Sequence, residues 1–210
     1  MELDPGEWRY SRAVAERLLR DGRTGEAVTL TTSSVRRFPG NPALGTLHAH
    51  ALLQAERPAE AARWLDQLSV LPSEGSAEAR SLYREANLLV AVDRLRAHDA
   101  RGALALTAKA REWPERLGAG KPYQADLDER LEDWLEAMVL TRLGRTAEAE
   151  AVLGRIVEFK LSAPSTGDLV TALAREKLGL APVEAKSAAG SGVEDTVTRV
   201  LRAWRRIPAA

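Results

Sequence analysis

The chain contains no cysteine, which excludes a disulfide framework, a thiolate nucleophile and any Cys-ligated metal. It carries no formal net charge, 30 basic residues standing against 30 acidic ones. Binding to phosphate backbones or anionic bilayers depends on a positive excess, so neither nucleic acid nor a membrane is an expected partner. No stretch approaches the roughly 20 apolar residues needed to cross a bilayer. The opening residues, Met1-Glu2-Leu3-Asp4-Pro5-Gly6, lack the basic region and apolar run of a secretory leader. That suggests the cytoplasm, unless the chain is a fragment of a longer secreted protein. The rest is ordinary for a folded protein: 45% apolar and 29% charged residues over 210 positions, enough for one domain or one short solenoid.

One phrase recurs. Asp21-Gly22-Arg23-Thr24-Gly25-Glu26-Ala27 returns as Ala55-Glu56-Arg57-Pro58-Ala59-Glu60-Ala61 and again as Leu143-Gly144-Arg145-Thr146-Ala147-Glu148-Ala149. Ala27 and Ala61 lie 34 residues apart, a helical-hairpin period. Around the phrase, apolar residues at helical spacing predict paired helices over 8–20 and 24–38, then 42–54 and 59–71. Phe38-Pro39 and Leu71-Pro72 end the second helix of each pair, since proline cannot continue it. A looser pair comes next over 77–97 and 100–113, closed by Trp113-Pro114, and a fourth over 127–143 and 146–160. The interval stretches to 42 residues between Ala61 and Ala103 and to 46 between Ala103 and Ala149. The first insertion is placed at Ser73-Glu74-Gly75-Ser76 and in a lengthened helix, the second at 115–125. Beyond them lies a short helix over 167–178, capped by Ser165-Thr166 and stopped by Gly179. The last helix, 193–207, sets Val193, Val197, Val200, Leu201 and Trp204 on one side. Arg199, Arg202, Arg205 and Arg206 lie mostly elsewhere.

These residues resemble the tetratricopeptide repeat family over about 8–178. Small residues sit where paired helices touch: Ala15 with Ala27, Ala49 with Ala61, Ala137 with Ala149. Leu18, Leu52 and Leu140, with Leu65, Leu68 and Leu153, fill the neighbouring large positions. The aromatic expected early in first helices is replaced by Gly45 in the second pair, and that of the second helix by Thr31 or Leu65. The resemblance implies an all-α fold, a right-handed α-solenoid of about four hairpins with a capping helix at 167–178 and a C-terminal helix. Small-residue composition and apolar spacing beyond it divide the chain into a repeat domain at 1–180, a flexible linker at 181–192 and an amphipathic helix at 193–210. A weaker similarity links 113–123, Trp113-Pro114-Glu115-Arg116-Leu117-Gly118-Ala119-Gly120-Lys121-Pro122-Tyr123, to repeat regions of large bacterial proteins that carry carbohydrate-associated domains.

No constellation of catalytic residues stands out. His48 and His50 point about 200° apart on a helix and cannot share an ion, and His98 belongs to another hairpin. Gly118-Ala119-Gly120-Lys121 lacks the leading glycine, the following Ser or Thr and the preceding strand of a phosphate loop. It reads as an ordered turn with Tyr123 packed on Trp113, or as a binding loop. Glu129, Glu132, Asp133 and Glu136 have helical spacing and predict a solvated acidic stripe paired with Arg130 or Arg142. The alternative is a patch receiving a basic segment. A stripe on one helix cannot place two carboxylates across a cleft for glycoside hydrolysis.

The expected activity is non-catalytic, with no cofactor and no metal: binding of a protein or peptide partner in the concave groove. By matching position, the resemblance implies a lining of Arg9, Arg12, Glu16, Thr46, His50, Gln54, Trp134 and Met138. Lys121 and Tyr123 are added from the inserted loop. Arg12, Glu16 and Leu47 stand where members that clamp a C-terminal carboxylate use Lys and Asn, which disfavours that ligand. Arg9 and Arg12 leave an acidic partner open. Two alternatives also remain: an accessory repeat domain of a bacterial carbohydrate-processing enzyme, and a self-associating module. The C-terminal helix either folds back onto the solenoid, the preferred reading, or docks a partner.

Overall fold

The computed structural model describes residues 7–72, 77–160, 165–183 and 195–207. These form ten α-helices and no strand: α1 (Trp8–Arg20), α2 (Thr24–Arg37), α3 (Pro42–Gln54), α4 (Pro58–Leu65), α5 (Glu78–Arg96), α6 (Ala100–Ala110), α7 (Arg130–Arg142), α8 (Thr146–Glu158), α9 (Gly167–Lys177) and α10 (Thr196–Arg205). The insertion placed at 73–76, residues 184–192 of the expected linker and residues 193–194 of the expected last helix lie outside the described residues. No helix among the described residues is long and apolar enough to cross a membrane.

The helices start and stop for local reasons. Asn41, Asp99 and Asp195 each cap a first turn, their side chains accepting from the backbone N–H three residues on, the geometry that satisfies an orphan donor. Five helices end in the same way. In α1, α3, α5, α7 and α9 a left-handed residue follows the cap: Gly22, Glu56, His98, Gly144 and Gly179, with φ between 56° and 74°. The next residue's N–H then returns to a carbonyl of the last turn, as Arg23 to Leu18 at 2.9 Å, Arg57 to Leu52 at 2.9 Å and Asp99 to Arg94 at 2.8 Å. Arg145 to Leu140 and Leu180 to Arg175 repeat it at 2.9 Å. This double closure satisfies carbonyls that the helix leaves open.

After three of these turns the next helix opens on an Arg-x-x-Glu clamp. Arg23 grips Glu26, Arg57 grips Glu60 and Arg145 grips Glu148, each through Nε and Nη2 on both carboxylate oxygens at 2.6–2.7 Å. At α6 the clamp is replaced by the Asp99 cap, which is why the third helix pair carries no clear copy of the phrase. Only three residues separate α1 from α2, α3 from α4, α5 from α6 and α7 from α8.

The chain forms two compact units, divided inside α5. The first takes in the described residues up to Asn87 together with Trp113–Lys121. Within it α1 packs on α2 and α3, α2 on α3, and α3 on α4. Ala15, Ala27, Ala49 and Ala61 are fully buried, as close helix approach requires. Gly45 has a steric reason: a Cβ there would fall 2.5 Å from Leu68 Cδ1, while its carbonyl accepts Trp64 Nε1 at 2.8 Å. The expected helix 59–71 stops at Leu65, because Arg116 Nη1 takes the Leu65 carbonyl at 2.7 Å and the Val70 N–H donates to the Arg116 carbonyl at 2.7 Å.

The second unit comprises Leu88–Glu112 and the described residues from Pro122 onward. Here α7 packs on α6, α8 and α9, and α8 on α9. Its core includes Val92, Leu131, Leu135, Leu153, Ile156 and Val170, with Val197, Val200 and Leu201 of α10 buried in the same cluster.

Candidate functional site

The residues matched to a groove lie on α1 and α3 of the first unit and on α7 of the second. On α1, Arg9 Nη1 lies 3.0 Å from both oxygens of Glu7, and Arg12 Nε donates to Glu16 at 2.7 Å. Exposed pairs of this kind contribute roughly 0.2–1 kcal/mol. Both arginines therefore already have carboxylate partners, though ones an acidic ligand can displace. On α3, His50 and Gln54 share a 2.9 Å hydrogen bond and remain half-buried. Tyr10 and Val14, exposed on α1 at 37% and 50%, add apolar surface that matching by repeat position does not single out.

Three of the expected groove residues are packing residues instead. Thr46 is buried. Trp134 and Met138 belong to the core of the second unit, because α7 is covered by three neighbouring helices and presents no open face there. His48 is also core. Its Nδ1 lies 2.9 Å from Thr31 Oγ1, and its ring meets Trp64 edge-on at 5.0 Å between centroids. Burial first, then the charge of Arg57, lowers its pKa to about 4, so the imidazole is neutral near pH 7. Among the described residues no group of three His, Asp or Glu side chains is placed to hold a metal ion.

The loop after α6 is ordered within the first unit. Arg80 stacks over Trp113 at 4.4 Å and Arg116 lies over Tyr83 at 5.6 Å, contacts that favour a cation against the ring face. Lys121 is exposed. Tyr123 keeps 85% of its surface exposed, which corrects the expectation that it packs on Trp113.

The acidic stripe is also corrected. Glu132 is buried, and the others are gathered by arginines from neighbouring helices. Arg111 Nη2 reaches Asp133 at 2.6 Å and Glu136 at 2.9 Å, with Nε 3.6 Å from Glu129; Arg155 of α8 adds a 3.2 Å contact to Asp133. Arg130 turns the other way. Its Nε and Nη2 bind both oxygens of Asp128 at 2.9 and 2.7 Å, Nη1 binds Asp168 and Thr171 at 2.9 Å, and Nη2 also binds Ser165 at 2.7 Å. All five guanidinium donors are used, and Phe159 lies 5.0 Å below.

Between these clusters is a cleft of about 530 Å³, lined by Arg111, Leu127, Glu129, Asp133, Glu136 and Phe159 among others. Its charges are matched to each other. Burial would raise the Asp128 carboxyl, but hydrogen bonds and charge from Arg130 more than offset this and hold it below the usual range. A general acid needs the opposite shift. The Arg130 cluster draws on residues up to 41 positions apart, so no local spacing in sequence announces it. No family model matches the chain, and neither a curated protein nor a solved structure matches it.

Proposed function

We propose that this chain is a non-catalytic helical-repeat scaffold, a right-handed solenoid of the tetratricopeptide type, that binds a protein or peptide partner. The observation that carries the reading is the single turn geometry closing α1, α3, α5, α7 and α9. A helix pair built many times from one turn makes extended surface rather than a reaction centre. The paired state of the cleft carboxylates argues in the same direction, since Asp133 and Glu136 already accept from Arg111.

The partner surface we assign is the α1–α3 face, with Arg9, Arg12, Glu16, His50 and Gln54 beside exposed Tyr10 and Val14. The test uses the intact chain as bait in parallel with a variant carrying Arg12→Glu, His50→Ala and Gln54→Ala. Proteins retained by the parent and lost by the variant, at unchanged melting temperature, support the assignment. Identical retention by both baits removes it.

A further inference from the structure

Helix α9 ends in the same left-handed turn as α1, α3, α5 and α7, yet the connection beyond it is of another kind. Where the other four helices lead into a new helix after three residues, α10 begins after eighteen. Eighteen residues of connection fix the position of α10 far less than three do. Its place is set by the surface it touches.

That contact has the features of a recognition site. Val197, Val200 and Leu201 are buried. Trp204 and Ile207 pack on a floor of Ala91, Leu95, Ala103 and Val139. Two arginines of the receiving surface read the end of the helix. Arg96 Nη2 donates to the carbonyl of Ala203 in the last turn, and Arg142 lies over the Trp204 ring at 5.8 Å. A ten-residue helix is not stable alone in water, so α10 draws its helicity from this seat and from the Asp195 cap.

We propose that the surface beneath α10 is a helix-binding site, and that α10 is its tethered occupant, exchangeable for a partner's amphipathic helix of the same chemistry. The partner it fits carries apolar residues at i, i+3, i+4 and i+7, as Val197, Val200, Leu201 and Trp204 do here. The last of them is aromatic, and the C-terminal turn is open for Arg96. A covalent tether presents α10 to its seat intramolecularly, at an effective concentration on the order of millimolar. An equal helix in trans therefore competes poorly until the resident one is weakened or released. This rests on the chain being a binding scaffold but not on the α1–α3 face, since every residue of the site belongs to the second unit.

The test uses the intact chain with Val200→Asp and Leu201→Asp in α10, titrated against a fluorescein-labelled peptide of residues 195–207. The expected result is saturable anisotropy with an affinity at least about tenfold above that of the parent chain. Binding should fall about tenfold when the peptide's tryptophan is replaced by alanine. Equal affinity for the two chains overturns the proposal. So does loss of cooperative melting in the variant, which would make α10 indispensable core. Hydrogen exchange on the unaltered chain gives a second reading. Amides of α10 should exchange at least about tenfold faster than those of α7, and equal protection overturns the idea. Arg12→Glu with His50→Ala should leave peptide binding unchanged, so a failure at one surface is separable from a failure at the other.

Discussion

Replacing Arg130 with methionine removes the centre of a buried polar cluster in the second unit. The side chain is 4% exposed and holds Asp128 and Asp168, which are 27% and 30% exposed. Methionine keeps much of the apolar stem and loses every donor. Breaking a buried ion pair from one side costs about 3–5 kcal/mol, because the remaining charge is uncompensated. Both carboxylates here retain a quarter or more of their exposure to water, so the expected loss is smaller, about 2–4 kcal/mol. Arg130→Lys should recover only part of it, since one ammonium cannot fork to Asp128 and also reach Asp168. Urea titration followed by circular dichroism measures the difference. The pH dependence carries a sign. Asp128 is held below its ordinary pKa, so its contribution is present above the unfolded carboxylate pKa near 4 and is lost as pH falls through the lower folded value. Parent and methionine variant should converge in strong acid. A variant within about 0.5 kcal/mol of the parent at neutral pH, the scatter of ordinary surface changes, would refute the account.

Two further outcomes test the packing. Ala61 is fully buried where α4 meets α3, and Ala61→Trp should destabilise by about 1–3 kcal/mol or more through overpacking; an unchanged melting temperature would remove the repeat assignment. His48 should make stability depend on pH in a defined window. Its folded pKa is about 4 against an ordinary 6.5, so the unfolded chain takes up a proton first as pH falls. Stability is complete above about 6.5 and declines towards 4 by on the order of 3 kcal/mol. Urea titrations near pH 7 and about pH 4.5 should show this extra slope in the parent and not in His48→Gln, and equal slopes would sink it.

The helices are legible in the sequence where their signals are local. The expected ranges 8–20 and 42–54 coincide with α1 and α3, because apolar residues at helical spacing are a local signal. Glu56 and His98 were invisible as turn formers, since nothing in a glutamate or histidine announces positive φ. The turn is imposed there by the helices it joins. On α7 the local reasoning fails for a different reason. Two charged residues, Arg130 and Glu132, are buried within it, so polarity no longer reports which side faces water. Repeat position alone places Trp134 and Met138 in a groove, and helical spacing alone gives Glu129, Asp133 and Glu136 to solvent. The partners that contradict this, Arg111 and Arg155, lie outside α7, 18–25 residues away from the acids they bind.

The same distinction locates specificity. The Arg-x-x-Glu clamps recur with one geometry at α2, α4 and α8 and are solvent-exposed. They recur because each solves the same problem at the start of a helix, and a feature that repeats cannot distinguish one partner from another. Two features that do not repeat among the described residues are the Arg130 cluster and the seat of α10. Arg130 has no donor left to offer a ligand. The seat of α10 is held by a short helix on a long connection, with Arg96 and Arg142 at its edge. Of the two, only the second can release a surface without dismantling the ion pairs that hold its own unit together, so a partner-specific exchange belongs there.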